Sequence, residues 1–167
     1  MNKKFYCLLV LTIVFLTSCS ERKLDLKDVL GLKIDLINKD YEYGDYLSFS
    51  GEGYTGLQYS VSETEMNSII KEIKSQELPL KKELFKIQFW TKTPINKKSE
   101  DIIDLISSYH SKDERFLKFQ KELRRIIYKN NNYFSYYYKE TEGNIDDIEL
   151  YLLDTTSNKI FIVRHSV

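Results

Sequence analysis

The chain has 167 residues and no alanine, and only two cysteines, two prolines, two histidines and six glycines. So few glycines and prolines exclude a collagen-like or linker-dominated chain. Two histidines are too few for a histidine metal site or a catalytic triad unless the fold brings both together with carboxylates. No charge of one sign prevails, since 25 Lys and Arg stand against 25 Asp and Glu. The basic excess that sequence-independent nucleic-acid binding needs is therefore missing. What is present is 42% hydrophobic, 14% aromatic and 30% charged, a globular mixture rather than a disordered one. The length argues for one domain. Abundant Lys, Ile, Asn and Tyr beside absent Ala is what AT-rich coding gives.

The N-terminus is the most informative stretch. Lys3 and Lys4 form a positive region ahead of Phe5–Leu16, an apolar run of twelve residues. A membrane span needs roughly 20, so this run reads as a secretory leader. It ends in Leu16-Thr17-Ser18-Cys19, which resembles the lipobox of bacterial lipoproteins. That resemblance implies cleavage between Ser18 and Cys19, a diacylglyceryl group on the Cys19 thiol and acylation of the new amino terminus. A small residue at Ser18 suits a narrow protease groove, and a thiolate is the nucleophile that takes the lipid. Several acyl chains, at about 0.8 kcal/mol per buried methylene, hold a protein stably where one does not. Ordinary secretion with cleavage after Ser20 is the competing reading. Residue 20 is Ser rather than Asp, which by the family's sorting rule favours the outer membrane in a cell that has two.

The expected organisation is a removed leader over 1–18, a lipidated tether over 19–27 and a single domain over 28–167. Removing the first 18 of 167 residues leaves 149, with 23 basic and 25 acidic side chains, a net charge of −2. Cys7 leaves with the leader and Cys19 is consumed by lipid, so the folded part carries no disulfide and no thiolate site. A chain this long buries about 68–70% of its unfolded surface and needs no covalent staple.

The pattern predicts strands from Leu32, over 45–50 and over 57–61. Ser62-Glu63-Thr64-Glu65 is a capping box, followed by Met66, Ile69, Ile70 and Ile73 at helical spacing and stopping before Pro79. A strand over 84–91 places Phe85, Ile87 and Phe89 on one face. Ser99 opens a short helix. Ser111–Glu114 caps a longer one that turns Phe116, Phe119, Leu123, Ile126 and Ile127 inward and ends at the Asn130–Asn132 run. Strands over 133–139, 147–154 and 159–164 finish the chain, the last two joined by Thr155–Asn158 as a hairpin. Clustered strands separated by helices predict the α+β class: an antiparallel sheet of about five to six strands with two to three helices on one face.

Gly51-x-Gly53-x-x-Gly56 has the letters of the dinucleotide fingerprint, which requires its third glycine to open a helix. Here Leu57–Val61 alternates as a strand, so we read a glycine-rich hairpin and expect no cofactor. Glu52, beside Gly53 and Tyr54, is the acid best placed for a carboxylate-dependent hydrolase, with Asp45, Asp147 or Glu149 as partner. A calcium site from Asp146, Asp147 and Glu149 lacks the usual loop spacing, and no metal is expected.

Thirteen tyrosines stand out. Tyr54 and Tyr59 in the first hairpin are candidates to stack on a glycan or small ligand. In the strand over 133–139, Tyr136 and Tyr138 share a face with Phe134 while Tyr133 and Tyr137 point the other way. The longer helix carries Lys112, Arg115, Lys118, Lys121, Arg124, Arg125 and Lys129 against Asp113, Glu114 and Glu122. That net positive segment would suit anionic headgroups or an acidic partner, or stand as a solvated face.

The succession Asp28–Leu32, Phe49-Ser50-Gly51-Glu52-Gly53-Tyr54, a helix, Trp90 with Pro94, Tyr133–Tyr136 and Leu150–Asp154 resembles a loose group of small bacterial proteins, many of them lipoproteins. The group more often has Gly-Asp-Gly where this chain has Gly51-Glu52-Gly53, and Trp-x-x-Leu-Pro where it has no Leu before Pro94. The resemblance implies one compact domain and carries no activity. The expected function is therefore a lipid-anchored, non-enzymatic interaction module of the cell envelope, such as an immunity-type or inhibitory partner of a secreted protein. Its expected contacts are the membrane through Cys19 and a protein partner, with Glu52, Tyr54, Tyr59, Arg115, Lys118 and Arg125 as candidate surface residues.

Overall fold

In a computed structural model the described residues are 26–34, 38–46 and 53–166. The elements are α1 (Lys27–Leu30), β1 (Lys39–Tyr46), β2 (Gly53–Ser60), α2 (Glu63–Ser75), β3 (Lys86–Lys92), α3 (Lys97–Ser108), α4 (Glu114–Tyr128), β4 (Tyr133–Thr141), β5 (Asn144–Asp154) and β6 (Lys159–Ser166). The six strands form one antiparallel sheet in the order β1-β2-β6-β5-β4-β3. The fold is α+β. The expected leader over 1–18, with Ser18, and also Cys19 and Glu52, lie outside the described residues.

Successive side chains of a strand point to opposite faces, and in β6 both directions are apolar. Phe161 and Val163 join Leu150, Leu152, Phe134 and Tyr136 in a cluster closed by Ile102, Ile103 and Ile106 of α3 and the inner face of α4. Ile160 and Ile162 join Tyr151, Leu153, Tyr133 and Tyr137 in a second cluster, closed by Met66, Ile69 and Ile73 of α2 and by Val29 and Leu30 of α1. The helices therefore cover both faces of the sheet, not one. The continuous run Ile160–Val163, without a polar alternate, follows from that double burial. Each fully buried Ile, Leu or Phe contributes about 1.5–3 kcal/mol.

The N-terminal part differs most from expectation. Residues 32–34, where a strand was expected to begin, form none, and 35–37 lie outside the described residues. Ahead of them is a single helical turn, ended by Gly31 in the left-handed region at φ 78°, with its N–H donating to Lys27 O. A Cβ there would stand 2.7 Å from Leu78 Cδ1. Leu26, assigned to the tether, is only 4% exposed, so the packed chain begins by that residue. Residues 47–50 lie outside the described residues, and the strand expected over 45–50 overlaps, at 45 and 46, the end of the first strand among the described residues, Lys39–Tyr46. Its inward residues are tyrosines, Tyr41 and Tyr43, packed on the α3–α4 side. Charged residues alternate with them, and an edge strand can carry charge on its outer side.

The capping box of α2 is present in both directions: Glu65 N–H donates to Ser62 Oγ at 3.2 Å and Ser62 N–H to Glu65 Oε2 at 2.7 Å. The caps of α3 and α4 shift. Asn96, not Ser99, caps α3 by accepting from Ser99 N–H at 3.1 Å. Asp113, not Ser111, caps α4 by accepting from Arg115 and Phe116 N–H. In β3 an irregularity between Gln88 and Thr91 changes the register. Phe85, Ile87 and Trp90 therefore pack on the α2 side, whereas Phe89 is 39% exposed.

Candidate functional site

Helix α4 offers two different faces. Phe116, Phe119, Leu123, Ile126 and Ile127 are buried and hold it against the sheet. Phe119 fits over β2 because residue 56 is glycine: a Cβ there would lie 2.8 Å from Phe119 Cε1. The third glycine of the fingerprint-like motif thus lies within a strand and opens no helix; it admits a helix side chain.

The opposite face carries Leu117, Lys121, Arg124 and Tyr128 at spacings of four, three and four. On a helix of 3.6 residues per turn these share an arc of about 60° and a length of about 16 Å. Leu117 is 52% and Tyr128 53% exposed, although both are large and apolar. Lys118, Lys121 and Arg124 are exposed, and among the described residues none of the three makes a hydrogen bond or ion pair with another side chain. The stripe is a basic centre with an apolar group at each end. Aromatic side chains and Arg are enriched at protein–protein interfaces, and Tyr and Arg are frequent among their anchors.

The three cations proposed from sequence separate in the structure. Lys118 flanks the stripe. Arg115 pairs with Asp113 at 3.1 Å, and that hydrogen-bonded guanidinium holds the Asp113 carboxyl below its usual range. Arg125 is engaged inward: Nε and Nη2 donate to Glu122 at 3.0 and 2.7 Å, and Nη2 also to Asp154 at 3.3 Å. Its hydrogen bonds depress the Glu122 carboxyl. Lys121 and Arg124 were legible only as basic. Leu117 and Tyr128 were passed over, although being apolar and out of phase with the buried stripe could have marked them.

Tyr54 and Tyr59 are not surface residues. Tyr54 is fully buried and Tyr59 is 8% exposed, so neither presents a ring on which a sugar could stack. Tyr54 stacks on Tyr109 at 4.8 Å and meets Phe116 edge-on at 5.1 Å. Burial pushes its hydroxyl strongly upward and that of Tyr41 up to about 12. Tyr41 Oη, Tyr54 Oη and His165 Nδ1 are buried without a well-formed hydrogen bond; the Gln120 amide lies beside Tyr54. Asp45 accepts from Tyr109 and, at 3.5 Å, from Tyr43. Asp147 accepts from Ser166 at 2.6 Å, and Glu149 from Lys82 at 2.7 Å and Tyr151 at 3.0 Å. Each carboxylate considered as a partner for Glu52, itself outside the described residues, thus has its own structural contacts. Among the described residues no three His, Cys, Asp or Glu side chains are grouped to hold a metal ion, and no helix is long and apolar enough to cross a membrane.

No protein-family profile matches the chain, and no curated protein and no solved structure matches it.

Proposed function

We propose that this chain is a bacterial lipoprotein, anchored in the cell envelope through Cys19, whose domain binds an acidic protein partner through the outer face of α4. The observation that carries the binding half is the stripe Leu117–Lys121–Arg124–Tyr128. Two large apolar side chains are left half exposed beside Lys121 and Arg124, which form no ion pair among the described residues. A merely solvated helix face has no need of Leu and Tyr at those two positions, and such residues serve as anchors at an interface. The lipobox-like Leu16-Thr17-Ser18-Cys19 supports the anchor half. Partners with this chemistry include a secreted protein whose acidic surface the domain would mask, the role of an inhibitor or immunity protein. Binding rather than turnover is the activity proposed.

Photo-crosslinking in cells tests it, with the full chain carrying a benzophenone residue at position 117 or 128. One discrete adduct, the same from both positions and lost in the double variant Lys121→Glu/Arg124→Glu, is the expected result. A benzophenone at Lys71, on α2, should give none. The reading fails if positions 117 and 128 yield no adduct, or if charge reversal leaves the adduct unchanged.

A further inference from the structure

Leu84 is 80% exposed, the most exposed of the large hydrophobic residues described, and Leu80 four residues earlier is 50% exposed. Leu84 also sits at φ 65°, a left-handed backbone that Gly or Asn adopts with less strain. Folding alone gives no reason for leucine there, since the side chain packs on little and the backbone disfavours it. Between the two lie Lys81, Lys82 and Glu83. Lys82 is bound to Glu149 and lies over the Phe85 ring, whereas Lys81 is exposed and has no partner among the described residues.

The loop is fixed beside the start of the packed chain. Leu80 N–H donates to Asp28 O at 2.8 Å, Tyr137 Oη donates to Leu80 O at 2.7 Å, and the Trp90 indole donates to Val29 O at 2.7 Å. The six residues 20–25 are all that separates Cys19 from Leu26, and the seven residue-to-residue steps reach at most about 25 Å. A bilayer holding Cys19 is therefore never far from α1, nor from the loop tied to it.

We infer that Leu80–Leu84 seats in the headgroup layer of the anionic bilayer that holds the anchor, Leu80 and Leu84 entering the interface and Lys81 meeting lipid phosphates. The inference rests on the proposed lipidation of Cys19. Exposed leucines with an adjacent lysine have the chemistry of an interfacial contact. The seat also orients the domain. α1 belongs to the cluster on one face of the sheet and α4 to the cluster on the other. A bilayer on the α1 side leaves the Leu117–Tyr128 stripe turned outward.

The test uses the full chain, matured in its host and reconstituted into vesicles of phosphatidylethanolamine and phosphatidylglycerol. Leu84→Cys, Leu80→Cys and Leu117→Cys each carry one environment-sensitive dye, and thermal melting checks that each variant is folded. Dyes at 80 and 84 should be shielded from iodide at least threefold relative to 117 and quenched by a headgroup-region lipid quencher. Equal iodide access at 80, 84 and 117, with a diacylglyceryl mass on Cys19, overturns the seat and leaves the anchor standing. A free Cys19 thiol by mass spectrometry overturns the anchor and the seat with it.

Discussion

Arg125 Nη2 donates to Asp154 Oδ2 at 3.3 Å, joining the exposed face of α4 to a carboxylate that is only 1% exposed. Asp154 ends β5, and its carboxylate also accepts from Thr156 N–H at 3.0 Å and from the Ser157 hydroxyl. It thus closes the 155–158 turn and ties that turn to the helix. Replacing Asp154 by Ala strands these donors and should cost about 2 kcal/mol. Arg125→Ala leaves the turn contacts in place and should cost about 1 kcal/mol or less, because the guanidinium is half exposed. Urea unfolding of both variants and of the double mutant measures the coupling. A double mutant whose loss equals the sum of the two singles would show that the pair contributes nothing.

Gly56 and Phe119 occupy one another's space. Gly56→Ala puts a methyl 2.8 Å from the edge of a ring that stacks on Tyr41 at 4.7 Å and is 3% exposed. The ring cannot retreat without disturbing that stack, so a loss of about 1–3 kcal/mol is expected. Combining Gly56→Ala with Phe119→Leu should cost less than the two single losses added. Strict additivity in chemical denaturation would place the strain elsewhere.

Elements with a strong local signal were readable from sequence. The capping box at Ser62, the helical apolar stripes of α2 and α4, and the final three strands stand close to where their patterns put them. Tyr133 and Tyr137 do face away from Phe134, Tyr136 and Tyr138. What failed was tertiary. Nothing local says that a sheet is covered twice, though the unbroken Ile160–Val163 run hinted at it. At Ser99 and Ser111 several residues in a row could cap, and only packing selects among them. Tyr54 and Tyr59 read as available because tyrosine suits both a surface and a core, and here the helices cover them. The outer stripe of α4 was half visible, its charges noted and its two apolar ends missed.

Ser62 allows that local signal to be weighed. Its hydroxyl accepts one of the N–H groups that the start of a helix leaves unpaired, and Glu65 returns a hydrogen bond to the Ser62 backbone. The Ser62 hydroxyl first, and then the Ser62 N–H, each donating to Glu65 Oε2 at 2.7 Å, pull the Glu65 carboxyl below its usual range. Ser62→Ala should lower stability by about 1 kcal/mol, and Ser62→Thr should restore most of it because its hydroxyl can still accept from Glu65 N–H and donate to the Glu65 carboxylate. Equal stability of all three proteins in urea would mean that α2 is held by Met66, Ile69 and Ile73 alone.

His165 should give the domain an acid sensitivity well above the range of its carboxylates. The ring is 8% exposed, lies 5.7 Å from both Tyr54 and Tyr109, and has Nδ1 unpartnered. Burial lowers its pKa below the ordinary value of 6.5. The unfolded chain therefore takes up a proton on this residue before the folded one does. Stability is untouched above about pH 6.5 and falls as the pH drops below it, by at most about 1.4 kcal/mol per pH unit, until the folded-state pKa is reached. Asp40, Glu65, Asp113 and Glu122 have lowered values, so their contribution is lost only near pH 4 and below, and the two windows separate. Urea unfolding at pH 7.5, 6.5 and 5.5 should show a falling wild-type stability and a flat His165→Gln. A variant as pH-dependent as the wild type over that interval would remove His165 as the cause, whatever its effect on stability at pH 7.5.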